Sequence, residues 1–181
     1  ELNKLITAAG EGKTITTAMI RDLVPFTRSG GIFDLSNAIS KRDLPLSLDT
    51  LQQLRRQGEN AMGILLAAIV PTVRNLLLAK DLMTRHGLRA PDKPFFFSSA
   101  LQKLPQEEVA HLPRKKDGSL NAYGIGLAAT HAGQFELPEL VDGFLACGDV
   151  NAKLLRSQGS EDTLLTQLVI RLVAKKVKKG F

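Results

Sequence analysis

Residues 61–73 read AMGILLAAIVPTV and form the longest uncharged apolar run of the chain. Apolar side chains cover nearly the whole circumference of a helix drawn through this run, which is typical of a helix surrounded by other helices. The run holds 13 residues and ends at Arg74, well short of the ~20 that a membrane span needs. We therefore predict a long core helix from Asn60 to about His86. Pro71 lacks a backbone donor and is expected to kink or split it.

Helical periodicity also governs the residues before this segment, and no stretch alternates convincingly with the period of a strand. We expect each predicted helix there to begin or end at a residue with capping chemistry. The first of four predicted helices is stopped by Gly10, and the second is a short helix from Thr16 or Thr17 to Leu23. The third follows Gly31 and carries Ile32, Phe33, Leu35, Ala38 and Ile39. The fourth is capped by Asp43 and stopped by Gly58, and its inward residues are Leu44, Leu48, Leu51 and Leu54.

The residues after the core helix predict four further helices and one exposed loop. Short helices are expected at residues 95–104 and 123–131, and the loop at residues 105–121, which hold two prolines and the turn-forming sequence RKKDG. Two longer helices follow, one with Pro138 in its first turn and one capped by Ser160. Their predicted buried stripes are Leu140, Val141, Phe144, Leu145 and Leu155 in the first, and Leu164, Leu165, Leu168, Val169, Leu172 and Val173 in the second. The predicted fold class is all-α.

Excess positive charge is concentrated at the end of the chain. The formal net charge is +6, yet residues 44–170 hold 13 basic and 13 acidic side chains, whereas residues 171–181 hold five basic ones and no acid. Four of these would share one face of a helix and are candidate contacts to DNA phosphate: Arg171, Lys175, Lys178 and Lys179. The alternative is a solvated helix end whose positive charges are favoured by the helix dipole.

One short motif suggests a nucleotide site. Gly12-Lys13-Thr14 matches the end of a phosphate-binding P-loop, which also needs a glycine five positions before the second one and a preceding strand. Thr7 stands at that position, inside a predicted helix. We interpret the segment as a polar turn between helices and predict no nucleotide cofactor.

The sequence offers no arrangement of side chains for catalysis or metal binding. His86, His111 and His131 do not lie three or four positions from one another, which metal-ligand motifs require. Cys147 has no adjacent base and is predicted to be a small core residue. We therefore predict no catalytic residue, no metal and no cofactor, and a chain that is not an enzyme on its own.

Several segments, taken in order, resemble one family. These are ELNKL (residues 1–5), GKTIT (12–16), IRDLV (20–24), IFDLSNAI (32–39), Leu48, Leu51 and Leu54, RQGE (56–59), Ile64-Leu65, Gly148-Asp149 with Lys153, and Leu164-Leu165 with Leu168. The series resembles the delta subunits of bacterial DNA polymerase III, which are AAA+-related clamp-loader subunits. The resemblance spans most of the chain and is strongest over residues 1–80 and 136–173.

The resemblance implies a domain organisation and a function. Residues 1–43 would be the C-terminal part of a AAA+ lid-like helical domain, and residues 44–181 a helical collar that assembles beside its counterparts. The implied function is DNA replication in the cytoplasm, in a complex that opens the sliding clamp and loads it on primed DNA. The implied partners are ATPase and delta-prime-type subunits, together with the sliding clamp through a AAA+-like domain preceding Glu1. The subunit itself would be non-catalytic.

Three other interpretations are compatible with the composition. The chain would be a free-standing helical domain that binds nucleic acid through its basic tail, a helical adaptor without a replication role, or an enzyme. Salt-sensitive binding that disappears with residues 175–181 would favour the first. The third requires a convergent pocket of titratable residues, which the sequence does not suggest.

Overall fold

The computed structural model describes residues 2–10, 12–16, 19 and 28–174. Across these residues the secondary structure is helical, apart from one isolated bridge between Arg114 and Leu120. This confirms the all-α prediction. The helices are α1 (Leu2–Ala9), α2 (Arg28–Ser40), α3 (Leu44–Arg56), α4 (Ala61–His86), α5 (Pro94–Leu101), α6 (Gln106–Val109), α7 (Ala122–Ala132), α8 (Leu137–Leu155) and α9 (Glu161–Val173).

Capping side chains begin three of these helices as predicted. The Asp43 carboxylate accepts the N–H of Leu46 at the start of α3, and the Asn60 side chain accepts two N–H groups at the start of α4. The Ser160 hydroxyl accepts the N–H of Thr163 in α9. Each contact pairs one of the N–H groups that a helix start leaves without a backbone partner.

The predicted helix from Thr16 or Thr17 to Leu23 lies outside the described residues, except at two positions. There the hydroxyl of Thr16 accepts the N–H of Met19 at 3.3 Å, the contact expected of an N-cap.

Pro71 does not split α4, which runs as one helix from Ala61 to His86, so the predicted split was wrong and the predicted kink stays a prediction. The helix widens into one π-helical turn over Leu65–Ile69 and then continues in α geometry from Val70 to His86. A proline ring clashes with the carbonyl four residues earlier, and a wider turn relieves such a clash. Thr72 donates its hydroxyl to the Ala68 carbonyl at 2.7 Å, which gives this turn a side-chain hydrogen bond.

The central helix α4 contributes side chains to two hydrophobic cores. The first core packs α2, α3, the first half of α4, most of α8 and α9, with the buried residues Leu35, Ile39, Leu51, Leu54, Ala61, Ile64, Leu65, Ala68, Ile69, Val73, Ala146, Cys147, Val150, Leu165, Leu168, Val169, Leu172 and Val173. The second core packs the remainder of α4 against α5 and α7, with Leu76, Ala79, Leu82, Phe97, Leu101, Leu112, Ala122, Ile125, Ala128, Ala129, Ala132, Phe135 and Leu140. Leu35 and Ile39 thus share a core with α3, while the domain boundary after residue 43 stays a prediction.

By length and composition α4 is apolar enough to cross a membrane, because it has 26 residues and an 18-residue window with a mean hydropathy of 1.8. The same properties belong to core helices of globular proteins. Here the buried apolar residues of α4 belong to the two cores, while Leu66 is 52% exposed, and the helix contacts α2, α7 and α8. We therefore assign α4 as the central core helix of the fold.

Two predicted helix boundaries were wrong. Helix α2 begins at Arg28 and runs through Gly30 and Gly31, before the predicted start. Each glycine costs a helix about 1 kcal/mol, and burial of the α2 residues in the first core outweighs that cost. Helix α5 ends at Leu101, three residues before the predicted end at Leu104.

Two glycines in helices give opposite expectations for substitution by alanine. A Cβ on Gly126 would lie 2.5 Å from the Pro94 carbonyl oxygen, which is backbone and can move only if α5 and α7 separate. Gly126→Ala should therefore lower the free energy of unfolding by about 1–3 kcal/mol. At Gly148 a Cβ meets open space, and Gly148→Ala should raise it by about 0.5–1 kcal/mol. Urea denaturation of both variants measures the difference, and equal effects would contradict the close packing of α5 on α7.

Candidate partner-binding surface

Helix α8 buries its small residues. The side facing the core carries Leu140, Gly143, Ala146, Cys147 and Val150. At Gly143 a Cβ would lie 2.6 Å from the Cδ2 atom of Leu172, so the missing side chain lets α8 approach α9 closely. The predicted buried stripe of α8 was therefore wrong except at Leu140. By contrast, the predicted stripe of α9 is confirmed, with Leu164 partly buried and its other members buried.

The larger apolar residues of α8 face outward instead. We call Val141, Phe144, Leu145 and Leu155 the outer face of α8. Their exposed fractions are 42%, 38%, 64% and 71%. At about 100° per residue, these four positions fall within a sector of about 100° of the helix circumference, so they share one side of the helix. Gly148 lies on the same side with open space around it. Large exposed apolar side chains on one side of a helix make this face a candidate interaction site.

A buried ion pair fixes the start of α8. The Nη2 atom of Arg42, in the turn between α2 and α3, donates to Oε1 of Glu139 at 2.6 Å. The same Glu139 oxygen accepts the N–H of Glu136 at 2.9 Å, completing a capping box at the N-terminus of α8. The Arg42 guanidinium carbon also lies 4.2 Å from the centre of the Phe135 ring, within range of a cation–π contact.

A second, more exposed set of ion pairs ties α3 to α9. Arg55 of α3 pairs with Asp162 and, at 2.8 Å, with Glu161, and it donates to the Glu59 carbonyl at 2.7 Å. Both acids occupy the first turn of α9, where the helix dipole also favours negative charge. These contacts hold the N-terminus of α9 against α3, whereas Arg171 lies in the last turn of this helix.

Of the four candidate phosphate contacts, the structure describes Arg171 alone, exposed in the last turn of α9. Lys175, Lys178 and Lys179 lie outside the described residues. The segment Gly12–Thr16 follows α1, a helix that contains Thr7.

The three histidines lie in separate environments. His111 is exposed, and the Nε2 atom of His86 is 3.6 Å from a Glu108 carboxylate oxygen, too long for a hydrogen bond. Partial burial, with a smaller contribution from the charge of Lys41, lowers the pKa of His131 below its ordinary value.

Cys147 is buried in the first core, and burial raises the pKa of its thiol to about 11. Because the thiolate is the reactive form, the native thiol should react with a disulfide reagent at pH 7.5 at least ~100-fold more slowly than in urea. Colorimetric thiol titration measures both rates. Similar rates would show that this part of α8 is open to solvent.

Comparison with known proteins shows a shared fold. The structure is similar to that of the Bacillus subtilis DNA clamp loader delta protein (YqeN), with a TM-score of 0.56 and 21% sequence identity over 96% of this chain and 44% of that one. The chain thus spans less than half the length of that protein. No family model and no curated protein matches the sequence.

Proposed function

We propose that this chain is part of a clamp-loader subunit of the delta type, and that it assembles with sister subunits without catalysing a reaction. The observation that carries the proposal is the fold likeness to a DNA clamp loader delta protein over 96% of the chain. The ordered series of sequence segments, from ELNKL to Leu168, supports it independently of the structure. In this proposal the chain acts in DNA replication in the cytoplasm.

The occupant proposed for the outer face of α8 is the helical domain of a sister subunit. Leu145 and Leu155 are each more than 60% exposed, while the core of this chain is filled by the smaller residues of the same helix. A clamp loader with several similar subunits would supply a matching helical surface beside α8. Exposed leucine and phenylalanine side chains suit the desolvated centre of such an interface.

The remaining parts of the proposal concern the ends of the chain. We assign residues 1–43 to the lid-like domain and residues 44–181 to the collar. Contact with the sliding clamp would belong to a AAA+-like domain preceding Glu1. Arg171, Lys175, Lys178 and Lys179 are the proposed contacts to the phosphates of primed DNA, and their contribution should fall steeply with salt.

Co-elution tests the proposed function. The chain is mixed with the ATPase and delta-prime-type subunits encoded in the same genome and passed over a size-exclusion column at moderate salt. A complex that contains all the components is expected. Elution of every component at its own position would contradict the proposal, and binding to DNA alone would favour a free-standing nucleic-acid-binding domain.

A further inference from the structure

The turn that ends α2 places an arginine where helices favour glycine. The N–H of Asp43 donates to the Ala38 carbonyl at 3.0 Å, as in a Schellman motif, and Arg42 has a φ of +56°. Helices α3 and α4 use Gly58 and Gly87 at the equivalent position. A left-handed backbone costs a residue with a Cβ about 1 kcal/mol or more. Ending the helix therefore does not explain why arginine occupies this site.

The arginine side chain adds a second cost. Its exposed fraction is 7%, and its Nε atom is buried with no hydrogen-bond partner among the residues that the structure describes. A glycine would avoid both the strain and the unpaired donor. The features that glycine cannot supply are the contact with Glu139, whose exposed fraction is 14%, and the contact with the Phe135 ring.

Glu139 connects this turn to the outer face of α8. It stands in the first turn of the helix, two residues before Val141, and its carboxylate also closes the capping box with Glu136. Two hydrogen bonds, one from the turn between α2 and α3 and one from the N-cap of α8, therefore meet on one oxygen of a carboxylate that is 14% exposed. A charge-assisted hydrogen bond in a partly buried environment is strong, and its strength depends on its geometry. The two hydrogen bonds to Glu139 therefore fix the orientation of the first turn of α8.

We propose that Arg42 is a positioning residue for the outer face of α8, acting through its ion pair with Glu139. This inference rests on the proposed function, because it assumes that the outer face meets a sister subunit. Replacing a buried ion pair with apolar residues of similar size often leaves stability unchanged or raises it. The charged pair is then retained for the orientation that it imposes on α8.

The test compares stability, local order and assembly in one variant. Arg42→Met with Glu139→Met removes both charges and keeps apolar volume. We expect a melting temperature about 2–4 °C below that of the parent, because the capping box with Glu136 is also lost. We also expect amide exchange about 10-fold faster in residues 139–141, and affinity for the ATPase and delta-prime-type subunits about 10-fold weaker by calorimetry. Should the methionine pair fail to fold, Glu139→Gln, which keeps a hydrogen-bond acceptor and removes the charge, is expected to show the same two changes.

The outcomes separate the inference from the proposed function. Parental affinity and parental exchange in a folded variant would overturn the positioning role and leave the proposed function standing. Faster exchange with parental affinity would also overturn it, because α8 would then be loosened without consequence for the partner. A parent chain that fails to bind either subunit would overturn both.

Discussion

Replacing Phe144 and Leu145 with aspartate should abolish assembly with sister subunits while leaving the fold intact. Both side chains are exposed, at 38% and 64%, and their loss leaves no cavity in either core. Exposed substitutions of this kind usually change stability by no more than about 0.5 kcal/mol. Truncating a hot-spot residue at the centre of an interface costs about 2 kcal/mol or more, and we place Phe144 and Leu145 at such a centre. The pair should therefore weaken binding by more than about 100-fold, as measured by calorimetry with the ATPase and delta-prime-type subunits.

A matched control separates this surface from exposed apolar residues in general. Phe33 of α2 and Leu46 of α3 are also exposed, yet neither belongs to α8. Their double aspartate variant should bind like the parent. Equal loss in both variants would indicate a general effect of added charge, and undiminished binding by the α8 variant would rule out its outer face as the docking site.

Arg42→Ala should be among the most destabilising single substitutions in this chain. Alanine removes the ion-pair partner of a carboxylate that is 14% exposed, and it also removes the contact of Arg42 with the Phe135 ring. Breaking a buried ion pair in this way typically costs about 3–5 kcal/mol. Urea denaturation followed by circular dichroism measures the change in the free energy of unfolding.

Ser157 provides the control for backbone strain. It follows α8 with a φ of +52°, and the N–H of Gln158 donates to the Lys153 carbonyl as in a Schellman motif. Its side chain is exposed, so Ser157→Ala should change stability by no more than about 0.5 kcal/mol. A similarly small effect of Arg42→Ala would contradict the importance given to the ion pair with Glu139.

Local chemistry made three of the helix starts predictable. Asp43, Asn60 and Ser160 pair N–H groups within three residues of themselves, so their roles depend on few neighbours. The apolar run of residues 61–73 predicted the central core helix α4, because almost any orientation of such a helix buries apolar side chains. The same chemistry did not predict the π-helical turn that accommodates Pro71.

The candidate site was less predictable, because it depends on tertiary distances. Helix α8 has two apolar sides, and periodicity alone favoured the one with the larger residues. The close approach of α9 at Gly143 selects the other. Arg42 and Glu139 are 97 residues apart in the sequence, and no local pattern connects them. A row of small residues at positions 143, 146 and 147 was the one signal that would have indicated the buried side.

Site-specific photo-cross-linking tests the central claim most directly, that a sister subunit covers the outer face of α8. A benzophenone side chain is placed at Leu145, or, as a control, at the exposed Gln167 of α9, and the chain is irradiated with the ATPase and delta-prime-type subunits. We expect a covalent adduct with one of these subunits from position 145 and little from position 167. Adducts from position 167 with none from position 145 would contradict the account.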